Sequence, residues 1–516
     1  MDEAGRKRQQ DPAFASPSKD SHHDLRPGQL DFADPFFAYN GALDASSELC
    51  SRCQRINFEQ IAQLRVSHKD GCRVGSIERR GLLMDKTCPL CGFLQAEAEY
   101  LDHDAEQVHP TFAGDPYELR AYATWSLLSE NPPVWQQNVS VSALFLRNGQ
   151  QADTGMSRYG SFLVPVIPTR GSKKPDNAVL SGSRLVTTKF RPAMVQQALR
   201  TCRKSHKCGR LNHSPVLPSS TRFIDCKSRR IVPLPARASY VALSYVWGAR
   251  KPSAAEATFL RIHQRIPPSV PKTIEDAMEI VMQVGERYLW VDRYCVDQYH
   301  SDQKSIQIAA MSELYEGSLF TIVALCDDSS QGLPGISSDY RKQLRFRARG
   351  REYVFSGVSL DNQLRNSKWQ QRAWVYQEAV LSSRCLFIGT EQAFFTCPYG
   401  IKSDTFPSPV PEALQSSIDW SSYDCKLTPT VIELFPPPEP RYGPIELHLW
   451  RYTLRSLTER SDALNAFRGI LTRSVQPLGG VFPSVMFILT MAPKVIRWIS
   501  FGAQPVRIQE LNTIPP

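Results

Sequence analysis

Three short apolar runs, at about 240–246, 288–292 and 319–325, alternate with two stretches of helical periodicity. This alternation constrains the fold more than any other property of the chain. Between the first two runs, Ile274, Ala277, Val281 and Val284 share one stripe. Thr273 is placed to N-cap that helix, with Glu275 and Asp276 in the first turn, where carboxylates suit the helix dipole. A second helix is expected from Asp302, a candidate N-cap, to Glu316, with Gly317 ending it. Strands joined by helices of this length imply parallel βαβ units with right-handed crossovers, and unbroken apolar strands imply a sheet covered on both faces. The expectation is an α/β fold.

At 516 residues the chain exceeds one ordinary core. Residues 1–45 are polar with Pro and Ser, and read as a disordered tail. Residues 46–110 form a Cys-rich module with helical spacing at Phe58, Ile61, Leu64 and Val66. Residues 111–197 read as strand-rich, with alternation at 139–146, another apolar run at 162–167, and a Pro/Gly/Ser/Lys linker at 166–185. The α/β region is assigned to 198–400, with its core at 240–380. Within it, 345–355 reads as a hairpin with Arg345, Arg347 and Arg349 on one face, and 384–397 as another. Residues 401–445 form a Pro/Ser-rich loop. Residues 446–516 are expected to be a helical extension, with Leu464, Phe467 and Ile470 on one side of a helix over 452–471.

The 61 Lys and Arg residues are interspersed with 51 Asp and Glu, for a net charge of +10. That balance argues against a dedicated nucleic-acid protein. No basic-then-apolar leader opens the sequence, and the longest apolar run, 479–493, is too short for a bilayer and contains Pro483. A cytoplasmic chain without membrane segments is expected. Its 13 cysteines then read as reduced thiols or metal ligands, not a disulfide framework. Cys50-x-x-Cys53 and Cys88-x-x-Cys91 are two knuckle-like pairs that could hold a structural zinc by four thiolates. Their separation exceeds that of common zinc ribbons, with His68 and Cys72 inside it as substitute ligands, and the rival reading is buried bare thiols. Cys202, His206 and Cys208 read as helix packing before metal ligation.

α/β sheets keep their chemistry at the carboxyl ends of strands. Ser244, Tyr245, Trp247 and Gly248 close the first run. Asp292 ends the second, with Asp297 and Gln298 on the loop beyond. Arg372-Ala-Trp-Val-Tyr-Gln-Glu378 then sets Trp374 and Glu378 one helical turn apart. No phosphate-cradling Walker loop or GxGxxG turn appears. A Cys295/His300 hydrolase lacks an evident orienting group beyond Asp297 and is disfavoured.

The blocks at 240–248, 289–298 and 372–378 resemble the signature segments of the fungal heterokaryon-incompatibility (HET) domain family. Arg222-Phe-Ile-Asp-Cys226 and Ser461–Ile470 resemble the flanking strand and helix, so the likeness spans roughly 198–472. Val246 and the pair Arg293-Tyr294 depart from the commoner family text. The resemblance implies a role in non-self recognition and cell death signalling, with protein partners and self-association. It also implies a distant kinship with TIR domains, hence a flavodoxin/TIR-like parallel sheet. Some TIR domains cleave NAD with one Glu placed after a Trp, as Glu378 stands after Trp374. NAD would then be a substrate and not a cofactor, with Glu378 and Asp292 as the catalytic carboxylates. Ser244, Tyr245, Trp247, Gly248, Asp297 and Trp374 would line its groove. The plainer readings are an ion pair of Glu378 with Arg372 or Arg384, a strand-terminating Asp292, core aromatics and a solvated arginine edge. The rival function is a non-catalytic protein–protein interaction and oligomerisation module.

Overall fold

The computed structural model describes residues 30–32, 35–63, 72–77, 85, 87–95, 98, 117–123, 142–148, 163–165, 187–204, 217–248, 253–340, 343, 345–349, 351–355, 360–365, 367–397, 400–404, 448, 451–475, 485–488, 497–500 and 508–510. Its centre is an eight-stranded mixed sheet. Four parallel strands lie in the order Cys385–Ile388, Thr321–Ala324, Tyr240–Ser244 and Tyr288–Trp290. Antiparallel strands close both edges, Ala393–Cys397 and Gly400–Ser403 on one side, Phe223–Asp225 and Arg230–Val232 on the other. The strands 240–244, 321–324 and 385–388 are buried at every position, as expected where helices cover both faces.

In chain order the four parallel strands run 2-1-3-4 across the sheet. The chain leaves Tyr240–Ser244, passes through the helix Lys272–Val284, and pairs the next strand on one side. It then crosses to the other side through two short helices, Ser301–Ala309 and Met311–Gly317. The carboxyl end of Tyr240–Ser244 is therefore a topological switch point, where adjoining loops diverge and leave room for side chains to meet.

Several helix boundaries differ from expectation. Lys272–Val284 begins on Pro271, not Thr273. The Thr273 amide is bonded to the Ser329 carbonyl (3.0 Å) and its hydroxyl meets Cys326 Sγ (3.6 Å), so neither caps the helix. Asp302 lies inside Ser301–Ala309, which starts after His300. The expected single helix to Gly317 breaks at Ala310, and the second piece buries Met311, Leu314 and Tyr315. A continuous helix over 452–471 is also absent. Ser456 instead exchanges backbone hydrogen bonds with Gln371 and Ala373, the helix proper is Asn465–Val475, and Leu464 is exposed while Phe467 and Ile470 are buried.

A second, seven-stranded sheet is antiparallel throughout. Its order is Leu30–Phe32, Cys72–Ile77, Tyr117–Ala123, Ser142–Asn148, Leu163–Pro165, Arg351–Phe355 and Arg345–Ala348. Residues 30–32 are thus strand and Phe37 is buried in a short 3-10 turn, so the expected tail does not reach residue 45. Within 111–197 the described residues include the strands Tyr117–Ala123, Ser142–Asn148 and Leu163–Pro165; both hairpins appear, and Arg345 and Arg347 share an exposed face as expected. At the other end, Val485–Ile488, Arg497–Ser500 and Ile508–Glu510 form a three-stranded antiparallel sheet where helix was expected. Leu64, Val66, the 166–185 linker and the Pro/Ser-rich residues 405–445 lie outside the described residues.

Candidate functional site

Ser244 is the last residue of its strand, and its hydroxyl is fully used. It donates to Glu378 Oε2 and accepts from Trp369 Nε1 at 2.8 Å. Glu378 lies mid-way along the helix Trp374–Leu381, whose preceding residue Ala373 bonds to the Ser456 carbonyl at 2.9 Å. Arg372 Nη1 donates to the Tyr245 carbonyl (2.7 Å), tying the loop after the strand to the start of that helix. The Tyr315 hydroxyl donates to the Leu243 carbonyl (3.3 Å) and also reaches the Glu378 carboxyl.

Asp292 forms the other half. The strand before it stops at Trp290, and Asp292 opens a four-residue helix, Asp292–Cys295. Its carboxylate accepts from Trp247 Nε1 and from the Arg293 amide, both at 2.7 Å. The Arg293 guanidinium packs over the Trp247 ring and pairs with buried Glu256 at 2.9 Å. Gly248 ends the block at φ +74°, and a Cβ there would stand 1.8 Å from Asp328 Oδ2. Close backbone approach is therefore needed at Gly248, but toward the chain's own Asp328.

Burial pushes the Glu378 carboxyl up to about 7. The Asp292 charge adds to that shift, while the Ser244 hydroxyl, Arg372 and Tyr315 oppose it. Burial also raises Asp292 against the pull of the Trp247 indole and Arg372. The Tyr245 hydroxyl is buried and lies close enough to Asp292 to act on it, yet has no hydrogen bond of ordinary geometry. Near neutral pH, Glu378 divides between acid and carboxylate. Such a group can exchange a proton or, when ionised, stabilise a developing cation. Trp247 and Arg372, which bond to Asp292 and to the Tyr245 carbonyl, are half-buried.

The three sequence blocks thus converge on one end of the central sheet. Residues 240–378 match the family model for Heterokaryon incompatibility protein (HET). Neither a curated protein nor a solved structure matches the chain. Ser244, Asp292, Trp369, Arg372 and Glu378 all fall inside the HET segment, with Glu378 its last residue.

Some expected site residues of the HET segment are placed elsewhere. Trp374 packs against the core, and the indole that meets Ser244 is Trp369. Asp297 serves its own loop, accepting from the Tyr299 and His300 amides and pairing with the His300 ring at 2.7 Å. Gln298 Nε2 donates to the Asp292 carbonyl (3.0 Å). Neither arginine forms the expected ion pair with Glu378, since Arg372 holds the Tyr245 carbonyl and Arg384 the Leu319 carbonyl. Cys295 is buried, with its thiol pushed up to about 12, and His300 is turned to Asp297, so the two make no nucleophile–base pair. Trp369 and Tyr315 were missed by sequence reasoning. Trp369 stands three residues before Arg372, near enough to the third block to have been suspected. Tyr315 carries no such signal in its short helix of mixed polarity, Met311–Gly317.

A second cluster lies in the N-terminal module. The ligand atoms of Cys50, Cys53, Cys88 and Cys91 all lie within 4.8 Å of one another, and the group could hold a metal ion. Cys91 Sγ is 3.5 Å from Cys50 and 3.6 Å from Cys53, far beyond a covalent disulfide. Arg52 Nη2 approaches Cys91 Sγ at 3.1 Å. The two halves come from a turn at Cys53–Arg55 and from a helix in which the Gly92 amide bonds to the Cys88 carbonyl. Cys72 sits in a strand outside the cluster, His68, His206 and Cys208 lie outside the described residues, and Cys202 is buried in the helix Pro192–Lys204.

Proposed function

We propose that this chain acts in fungal heterokaryon incompatibility, in non-self recognition coupled to cell death, and that its HET segment hydrolyses NAD with Glu378 as the central carboxylate. The observation that carries the reading is the buried Trp369–Ser244–Glu378 chain at the switch point of the parallel strands, with Asp292 and Arg372 beside it. The 2-1-3-4 strand order supports the flavodoxin/TIR-like part of the argument. In the reaction, the bond from ribose C1′ to the nicotinamide nitrogen breaks and its electron pair leaves with nicotinamide. The leaving group departs neutral, so no acid is required. Ionised Glu378 stabilises the ribosyl cation, Asp292 orients a ribose hydroxyl, and water adds to C1′ and gives its proton to a carboxylate. In this reading Trp247 stacks on the nicotinamide ring.

The test is nicotinamide release from NAD by the purified protein. Glu378→Gln, folded as judged by circular dichroism, is expected to lose at least a hundredfold in rate. A fully active Glu378→Gln variant sinks the proposal. One observation favours a second reading, a non-catalytic association module. Glu378 is 6% exposed, and Ser244 and Trp369 are both 0%, so substrate reaches the carboxyl only when the side chains around it move. In that reading the network only locks the helix Trp374–Leu381 onto the sheet, and no nicotinamide appears even from assembled protein.

The four-thiol cluster is read as a structural zinc centre. A tetrahedral site with Zn–S bonds of about 2.3 Å has sulfur–sulfur edges of about 3.8 Å, close to the separations observed. Arg52 would offset part of the excess negative charge of four thiolates. We place the activity in the cytoplasm, with protein partners and self-association. Among the described residues, no helix is long and apolar enough to cross a membrane. The functional units proposed are the metal module at 46–110 and the HET region at 198–400.

A further inference from the structure

We infer that the four-thiol centre is the keystone of an interface between the N-terminal module and the HET segment, so that its metal controls the order of the hairpin at 345–355. The inference rests on the zinc reading above and adds to it a mechanical consequence inside the HET segment.

The hairpin is encoded between the strand Thr321–Ala324 and the Glu378 helix, yet it leaves the central sheet. Its second strand pairs with Leu163–Pro165 and completes the antiparallel sheet. Phe346, Ala348 and Tyr353 are buried in the same cluster as Cys53, Cys88, Cys91, Phe58 and Ile61. Phe346 and Tyr353 stack at 5.5 Å, and the Phe58 ring lies 5.6 and 5.1 Å from them. The Tyr353 hydroxyl donates to the Phe58 carbonyl (3.4 Å), and the Arg347 amide donates to Glu48 Oε2 (3.2 Å).

The two module residues that grip the hairpin, Glu48 and Phe58, flank the Cys50–Cys53 knuckle on either side. Backbone bonds from the Asn57 amide to the Phe37 carbonyl (2.8 Å) and from the Tyr39 amide to the Arg55 carbonyl (2.6 Å) help to hold this segment, and the knuckle lies between them and Glu48. The described part of the helix carrying Phe58 is Phe58–Gln63, and a short helix gains most of its stability from what it packs against. A two-stranded hairpin is marginal alone, and this one is held along one edge by Leu163–Pro165 and across its buried face by the module. Ligand bonds to Cys50 and Cys53 set the knuckle, the knuckle sets Glu48 and Phe58, and these seat Phe346 and Tyr353. By linkage, if the metal favours the seated hairpin by some factor, the seated hairpin favours the metal by that same factor, so loosening the hairpin must weaken metal retention.

The experiment uses the full chain. Zinc is quantified in the purified protein, stripped with a chelator under reducing conditions, and restored. Hydrogen exchange is followed at 345–355 and at 321–324 in each state. The expected result is exchange at least about tenfold faster at 345–355 on stripping, reversed by zinc, with 321–324 unchanged. Phe346→Ala should release zinc to a chromogenic chelator several-fold faster than the parent chain. Unchanged protection at 345–355 after confirmed zinc loss overturns the inference while leaving the zinc centre standing. A chain that binds no zinc, as purified or when supplied with it, overturns both.

Discussion

The two sheets of this protein are built on opposite principles. The central sheet draws its parallel strands in sequence from 240–388 and buries a single large cluster of apolar side chains around them. The antiparallel sheet gathers seven strands from positions between 30 and 355, and the cluster against it is smaller and contains three of the four clustered cysteines among its buried residues. Where a core is large, dispersion and burial hold it without further help. Where it is small and its strands are far apart in the chain, loop-closure entropy weighs more and a cross-link becomes decisive. A metal held by the four clustered thiols would be such a cross-link.

The largest expected effect tests that difference directly. On the zinc reading, Cys88→Ser should abolish metal binding and disorder the N-terminal module, because structural zinc contributes on the order of 10 kcal/mol to folding. The unfolding transition of the central sheet should remain near its original midpoint. Thermal melts read by protease protection of each region check this, and joint loss of both regions in one transition erases the contrast. A middle-sized effect belongs to the central sheet alone. The Glu378 carboxyl has an ordinary value of 4.5 and is pushed up to about 7 in the fold. The folded chain therefore binds more protons between those values, so this stabilisation is complete below 4.5 and lost as pH rises through 7. Relative to Glu378→Gln, the parent protein should lose on the order of 3 kcal/mol over that window. Denaturant midpoints at four or five pH values measure it, and parallel curves refute it. NAD turnover should rise over the same interval, as the carboxylate forms. The smallest effect is the cross-strand pair of Arg345 with Glu352 at 3.1 Å, whose arginine is well exposed. Arg345→Ala should cost less than about 1 kcal/mol and leave zinc content unchanged; a larger loss would show the hairpin to be held by its charges instead of its buried rings.

Much of the central sheet was legible because its signals are local. Apolar runs and one clear helical stripe placed the strands from 240 to 324, and the carboxyl-end rule placed Ser244 and Asp292 beside one another. What was not legible depends on partners distant in the chain. Thr273 looked like a cap until Ser329 and Cys326 claimed its polar groups, and 452–471 looked helical until Ser456 bonded beside Arg372. Trp374 was chosen over Trp369 by motif spacing, whereas the choice between them rests on which indole faces Ser244. The cysteine pairs were legible as pairs, but their meeting across 38 residues of sequence was a matter of folding. The antiparallel sheet was the least readable, since nothing near 163–165 announces that its neighbour lies at 351–355.

That pairing has a consequence for biosynthesis. Leu163–Pro165 leaves the ribosome 186 residues before Arg351, at a rate of roughly 5–20 residues per second, so its sheet edge waits about 10–40 s for its partner. During that delay the exposed strand is open to mispairing with a neighbouring nascent chain, and early metal capture by the cysteine knuckles would give the waiting half a shape to keep.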